Sequence, residues 1–159
     1  MRPANLSMIF RVLFAAHSAV ERHAGCAPGR PALSSPPVVS IIDDDGSVRA
    51  ATDNLVRSLG YVVHTFASAE EFLASPQLND SSCVIADVQM PTMSGLELQA
   101  CLRARGCRVP FIFITAFALD DARVRALKAG ATCFLAKPFA GEALINCLET
   151  ALQGDLTAK

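Results

Sequence analysis

From Val38 onward, short apolar runs alternate with stretches in which apolar residues recur every three or four positions. Val38-Val39-Ser40-Ile41-Ile42 reads as a strand ending in Asp43-Asp44-Asp45. Val48, Ala51, Leu55 and Leu59 then repeat at helical spacing. Gly60 stands where a helix C-terminus takes left-handed geometry, and Tyr61 to Thr65 reads as a second strand. Ser68-Ala69-Glu70-Glu71 is a capping box that opens a short helix to about Ala74, and residues 75–81 read as a polar loop. Cys83-Val84-Ile85-Ala86 runs straight into Asp87, and Pro91, which pushes Met90 away from helical geometry, requires a loop there. Ser94-Gly95-Leu96-Glu97 is a second capping box, whose helix stops before Gly106. A strand over Val109 to Ile114 tolerates Pro110 near its start. A helix from Leu119 to Ala129 is closed by Gly130, and Thr132 to Leu135 is a short strand. The last helix, Ala140 to Gln153, has Leu144, Leu148, Ala151 and Leu152 on its inner face. Five strands alternating with five helices over short connections predict an α/β fold. Its sheet is parallel, its crossovers right-handed, and its helices lie on both faces.

The first 37 residues break this pattern. Residues 1–20 are basic and partly apolar, but Arg11 separates Met8-Ile9-Phe10 from Val12-Leu13-Phe14, which argues against a secretory signal. His23-Ala24-Gly25-Cys26 is a poor match to a lipoprotein cleavage site. Residues 26–37 are rich in Pro, Gly and Ser and read as a flexible linker. The expectation is a disordered or flexible extension over 1–37, a domain over 38–153 and a short tail over 154–159, with a short amphipathic helix over 6–20 as the alternative for the extension.

Composition narrows the function. At 159 residues the chain holds one domain with a sizeable core, and a net charge of −1 points to neither nucleic acid nor an anionic membrane. None of the six Cys is in CxxC spacing, and Cys83, Cys133 and Cys147 fall in apolar segments. They are therefore expected to be reduced thiols in a cytoplasmic protein.

Chemistry gathers at the strand ends. Asp87 alone reads as a turn residue or helix cap. However, the first strand ends in Asp43-Asp44-Asp45, the fourth in Thr115-Ala116, and the fifth leads to Lys137-Pro138. In open parallel sheets, sites form outside the carboxyl ends of strands. Clustered carboxylates repel unless a cation neutralises them, and oxygen ligands on a small rim suit Mg²⁺. Lys137 and Thr115 suit a phosphoryl oxygen. The set describes a phosphoryl-transfer site with Asp87 as nucleophile. Asp45 reads as a helix cap, and Lys128 and the helix arginines as ordinary solvated residues.

Residues 38 to about 153 resemble the receiver domain of two-component response regulators, a CheY-like superfamily. The resemblance is carried by Ile42-Asp43-Asp44-Asp45, Asp87-Val88-Gln89-Met90-Pro91, Met93-Ser94-Gly95, Ile114-Thr115-Ala116, Lys128-Ala129-Gly130-Ala131 and Lys137-Pro138-Phe139. The motif wording is closest to the receivers of nitrogen-fixation-type regulators. The resemblance implies a flavodoxin-like (βα)5 doubly wound sheet with strand order 2-1-3-4-5. It implies that Asp87 accepts a phosphoryl group from a sensor histidine kinase or phosphotransfer protein. Mg²⁺ or Mn²⁺ would then be held by Asp43, Asp44, Asp87 and the Gln89 backbone carbonyl. Thr115 and Lys137 would contact the phosphoryl group, and Phe134 matches the switch aromatic. The Lys137–Pro138 peptide is expected to be cis, since Lys137 must turn towards Asp87 and the resemblance implies it.

The expected function is thus a stand-alone receiver, not an enzyme, that passes a phosphorelay signal to a downstream protein. The surface it would switch comprises the fourth helix, fifth strand and fifth helix, which also offers a face for homodimers. With no DNA-binding domain after the last helix, direct transcriptional control is not expected. A flavodoxin-like cofactor-binding enzyme is the rival on the same sheet order. It would need a Gly-, Ser- or Thr-rich phosphate cradle after the first strand, where three aspartates stand instead. A phosphorylation-independent docking module is the second rival, and the complete acidic and basic set argues against it.

Overall fold

The structure is a computed structural model that describes residues 35–116 and 120–153. The expectations for residues 1–34 and 154–159, and the expected helix start at Leu119 within the undescribed 117–119, lie outside these. Five strands, β1 (Val38–Ile42), β2 (Val62–Phe66), β3 (Cys83–Asp87), β4 (Phe111–Thr115) and β5 (Cys133–Ala136), form one parallel sheet in the order β2-β1-β3-β4-β5. Between and after them lie the helices α1 (Gly46–Ser58), α2 (Ala69–Ala74), α3 (Gly95–Ala104), α4 (Asp120–Lys128) and α5 (Gly141–Gln153).

The strands read as unbroken apolar runs because both faces of the sheet are covered. On one side Val39, Ile41, Ile85, Ile112 and Ile114 pack with Val56 of α1 and Leu144 and Leu148 of α5. On the other, Ile42, Val84, Ala86, Phe111 and Phe113 pack with Phe72 of α2, Leu98 and Leu102 of α3 and Ala126 of α4. Alternate residues of each strand thus serve separate cores, as a period of two requires.

Several local devices agree with the sequence. Asp45 caps α1, its carboxylate accepting from the N–H groups of Ser47 at 2.8 Å and Val48 at 3.3 Å. Gly60 has φ 91° just beyond α1. Ser94 and Glu97 form the reciprocal capping box on α3. The Ser68 box closes differently: Ser68 Oγ accepts from Glu71 N, but Glu71 Oε2 takes the N–H of Ala67, one residue earlier. Within the expected loop, Pro76–Asp80 forms a 3₁₀ turn started by Ser75, whose Oγ accepts from Gln77 N. β4 begins at Phe111 rather than Val109, directly after Pro110.

One expectation is overturned. Cys133 and Cys147 are not reduced thiols but a disulfide, with Cα atoms 5.8 Å apart. Cys133 is on the face of β5 that meets α5, and the second turn of α5 brings Cys147 over it. The two lie 14 positions apart in sequence, across strand, turn and helix, so no short spacing motif signals the pair. Cys83, Cys101 and Cys107 are free, and burial pushes the Cys83 thiol up to about 12, which leaves it unreactive.

Thr92, in the loop between β3 and α3, has φ 68°. A β-branched residue pays about 1–2 kcal/mol for left-handed backbone, whereas glycine pays mainly in unfolded-chain entropy, roughly 0.5–1 kcal/mol. Thr92→Gly is therefore expected to stabilise the domain by about 0.5–1 kcal/mol, read as a higher midpoint in urea. An unchanged or lower midpoint would contradict this.

Candidate functional site

The register of the sheet assembles the site. Ile42 pairs with Ala86, so the next step sets Asp43 beside Asp87. Asp87 pairs with Ile114, which places Thr115 one step further out on β4. Thr115 pairs with Ala136, which places Lys137 one step beyond β5. Two backbone bonds pin these ends: Val88 N donates to the Ile114 carbonyl at 3.0 Å, and Lys137 N donates to the Thr115 carbonyl at 2.7 Å. The Lys137–Pro138 peptide is cis, as expected.

The side chains meet closely. Lys137 Nζ donates to Asp43 Oδ2 at 2.9 Å and to Asp87 Oδ2 at 2.8 Å. Asp43 Oδ1 accepts from Asp45 N at 2.9 Å, and Asp87 Oδ1 accepts from Gln89 N at 2.8 Å. Asp43, Asp87 and Thr115 are buried, with relative exposures of 3%, 7% and 0%, while Asp44 is exposed. Ligand oxygens of Asp43, Asp44 and Asp87 all lie within 4.8 Å of one another. Asp45 is committed to the helix cap. Phe134 is half-buried on the opposite face of β5, its ring centroid 6.4 Å from that of Phe113.

Burial raises the Asp43 carboxyl above its usual value, and hydrogen bonds from Lys137 and Asp45 only partly offset this. Burial pulls the Lys137 ammonium down, but its bonds to Asp87 and Asp43 outweigh that and raise it. The pair thus favours the lysine charge, while the nearly enclosed Asp43 pays for ionising. The pocket remains short of positive charge, with one ammonium facing three carboxylates.

These donors fit a small, hard divalent cation: three carboxylates converge at an open rim where water can complete the shell. Asp43, Asp44 and Asp87 would hold it, and the resemblance adds the Gln89 carbonyl. Mg²⁺ is expected to raise thermal stability, by about 2.7 kcal/mol at a hundredfold excess over Kd. Because Asp43 holds its proton to higher pH than an ordinary aspartate, the cation must displace that proton as pH falls. Mg²⁺ affinity should therefore begin to weaken above the usual carboxylate range. The same shift means that, as pH falls through it, the folded state takes up the proton before the unfolded chain does. Asp43 alone therefore destabilises at neutral pH and less so in acid. Calorimetric Mg²⁺ titrations down through the carboxylate range in which affinity weakens no earlier than ordinary aspartates titrate would contradict this.

Two neighbours escaped sequence reasoning. Arg49 is not an ordinary solvated residue: its guanidinium donates to the Asp43 carbonyl and tethers the β1–α1 turn that carries Asp44. Gly95, the first residue of α3, lies against the backbone of Asp87; a Cβ there would stand 2.3 Å from the Asp87 carbonyl oxygen. No local signal exposes either contact. An open groove of about 480 Å³, lined by Val48, Ala51, Leu55, Phe139 and others, flanks Lys137.

Comparison with known proteins decides what this geometry belongs to. Residues 39–149 match the model of the response regulator receiver domain. The chain belongs to that family. Among curated relatives, the response regulator protein TodT of Pseudomonas putida is 42% identical over 116 residues, covering 73% of this chain and 51% of TodT. The transcriptional regulatory protein FixJ of Azorhizobium caulinodans is 40% identical over 114 residues, covering 72% of this chain and 54% of FixJ. The chain thus spans about half the length of the curated relatives it matches. The crystal structure of FixJ-N is 35% identical with a TM-score of 0.67, covering 74% of this chain and 94% of that one. A receiver is a signalling phosphoacceptor rather than an enzyme, and membership implies a histidine kinase as partner. No helix among the described residues is long and apolar enough to cross a membrane.

Proposed function

We propose that this receiver is a phosphorylation-controlled switch in which Asp87 takes a phosphoryl group from a histidine kinase or phosphotransfer protein. The observation that carries this reading is the convergence of Asp43, Asp44 and Asp87, with Lys137 Nζ bridging Asp43 and Asp87. One Asp87 oxygen attacks phosphorus while the donor nitrogen departs. Gln89 N orients the Asp87 carboxylate, and Lys137 is placed to follow the charge onto the phosphoryl oxygens. A divalent cation, when bound, supplies further neutralisation of those oxygens. Thr115, fully buried at the rim, is our second contact for the phosphoryl group, and Phe134 is the aromatic that responds.

In this reading the receiver works in the cytoplasm and signals through α4, β5 and α5, to a downstream protein or a second copy. Val124 and Leu127 of α4 are large apolar side chains left 47% and 43% exposed, which suits such a surface. Hydrogen exchange before and after treatment with acetyl phosphate tests the switch: protection should change in α4, β5 and α5. Unchanged protection with Asp87 modified would contradict it.

Signal lifetime depends on water reaching the aspartyl phosphate in line. The resemblance implies that the side chains two positions after Asp87 and two after Thr115 flank that path; in this sequence they are Gln89, which is exposed, and Phe117, which lies outside the described residues. Phe117 has no hydrogen-bonding group, and its bulk should crowd the approach. Phe117→Ala is expected to speed phosphate release about tenfold, or roughly 1.4 kcal/mol off the barrier. Gln89→Ala is the companion variant, and release unchanged in a folded Phe117→Ala would contradict the steric account.

A further inference from the structure

The disulfide encloses a particular stretch of chain. Residues 133–147 comprise all of β5, the Lys137–Pro138 turn and the first two turns of α5. That stretch carries both Phe134 and Lys137. β5 is an edge strand of four residues, paired only with β4. Apart from that ladder, its ends are held by Thr132 N donating to the Phe111 carbonyl at 2.8 Å and by Lys137 N donating to the Thr115 carbonyl. α5 is anchored through Leu144, Leu148, Ala151 and Leu152 in the core, against which Cys133 and Leu135 of β5 also pack. The Cys133–Cys147 bond is therefore the covalent tie between the edge strand that leads to the site lysine and a firmly packed helix.

We propose that Cys133 and Cys147 form a thiol–disulfide switch that locks β5 to α5 and holds the 133–147 segment in its unphosphorylated arrangement. This rests on the phosphoacceptor reading of Asp87. In this switch Lys137, already 2.8 Å from Asp87 Oδ2, follows the new oxygens on Asp87 and draws the end of β5 against α5. The bond opposes that shift, and reduction frees it.

The exchange is balanced with a low-molecular-weight disulfide such as oxidised glutathione. Cys133 is half-buried and Cys147 only 6% exposed, so the Cys133 thiolate makes the first attack. It bonds to one glutathione sulfur and expels the other as a thiol. The Cys147 thiolate then attacks Cys133 Sγ and expels the second glutathione. Two protein thiols are oxidised, one glutathione disulfide is reduced to two thiols, and the two protons pass to the departing thiolates.

Coupling is reciprocal: if the disulfide disfavours the phosphorylated arrangement, phosphorylation must favour the dithiol by the same factor. The test equilibrates the full chain in glutathione redox buffers with Mg²⁺, with and without acetyl phosphate. The Cys133–Cys147 pair and the Asp87 phosphoryl group are quantified in the same samples by alkylation and peptide mass. The expected result is a shift of the pair towards dithiol by about threefold or more when Asp87 is phosphorylated. In Cys133→Ser and Cys147→Ala, Asp87 labelling should be indifferent to the glutathione ratio. A pair that never forms in oxidised glutathione, or whose ratio ignores phosphorylation of Asp87, overturns the switch. Failure of Asp87 to label in either redox state overturns the phosphoacceptor reading, and the switch with it.

Discussion

Replacing Gly95 with alanine should cost the domain about 2 kcal/mol or more, despite giving α3 a better helix former. The added Cβ would lie 2.3 Å from the Asp87 carbonyl oxygen and 3.1 Å from both the Asp87 carbonyl carbon and Phe113 Cε1. The first two belong to the backbone of a central strand, which cannot swing aside like a side-chain tip. α3 must therefore back away from β3 and loosen the Gly95 N–H bond to the Val88 carbonyl, now 3.1 Å. Overpacking of this kind typically costs 1–3 kcal/mol, occasionally more. Because the displaced atoms are those of Asp87 itself, phosphorylation should fall as well. Gly46 provides the control. It is the first residue of α1, yet its added Cβ would meet only Arg49 Nη2 at 3.7 Å, an ordinary contact. Gly46→Ala should be neutral or slightly stabilising. Chemical denaturation of the two variants beside wild type checks the contrast, and equal midpoints would contradict it.

Asp87→Asn should abolish phosphoryl uptake altogether. An amide cannot serve as the nucleophile, and the substitution also removes a carboxylate from the cation cluster and one of the two charges paired with Lys137 Nζ. Asp43 and Asp44 remain, but neither is expected to substitute. Asp43 is the more enclosed of the two carboxylates paired with Lys137, 3% exposed against 7% for Asp87, whereas Asp44 is exposed. Mg²⁺ affinity should weaken in the same variant, because two carboxylates hold a divalent cation less strongly than three. Label remaining on Asp87→Asn would show that another residue accepts the group.

Much of this was legible in the chain. The apolar runs placed every strand to within a residue or two, because a doubly covered sheet leaves no polar face to confuse the period. Asp45, Ser94 and Gly60 announced helix ends through purely local chemistry. The convergence of Asp43, Asp87, Thr115 and Lys137 followed from strand ends alone, once the strand order was assumed. The features that escaped all depend on two elements meeting across the fold. The packing of Gly95 on Asp87 requires α3 to start against β3. The Arg49 tether requires α1 to fold its first turn back over the end of β1. The Cys133–Cys147 bond requires a two-residue period on β5 and a 3.6-residue period on α5 to come into phase, and neither segment shows that by itself. The Ser68 cap differed for a subtler reason: the pattern specified the partners, but Glu71 reached one residue beyond the expected N–H.

The central claim is that Asp87 is the sole phosphoacceptor and that its carboxylate neighbours require a divalent cation for the reaction. The direct measurement is peptide mass mapping of the wild-type chain after incubation with acetyl phosphate, with Mg²⁺ and with excess chelator. The account predicts one phosphoryl group, on Asp87, formed with Mg²⁺ and lost with chelator. A phosphoryl group on any other residue, or labelling of Asp87 indifferent to chelation, would contradict it.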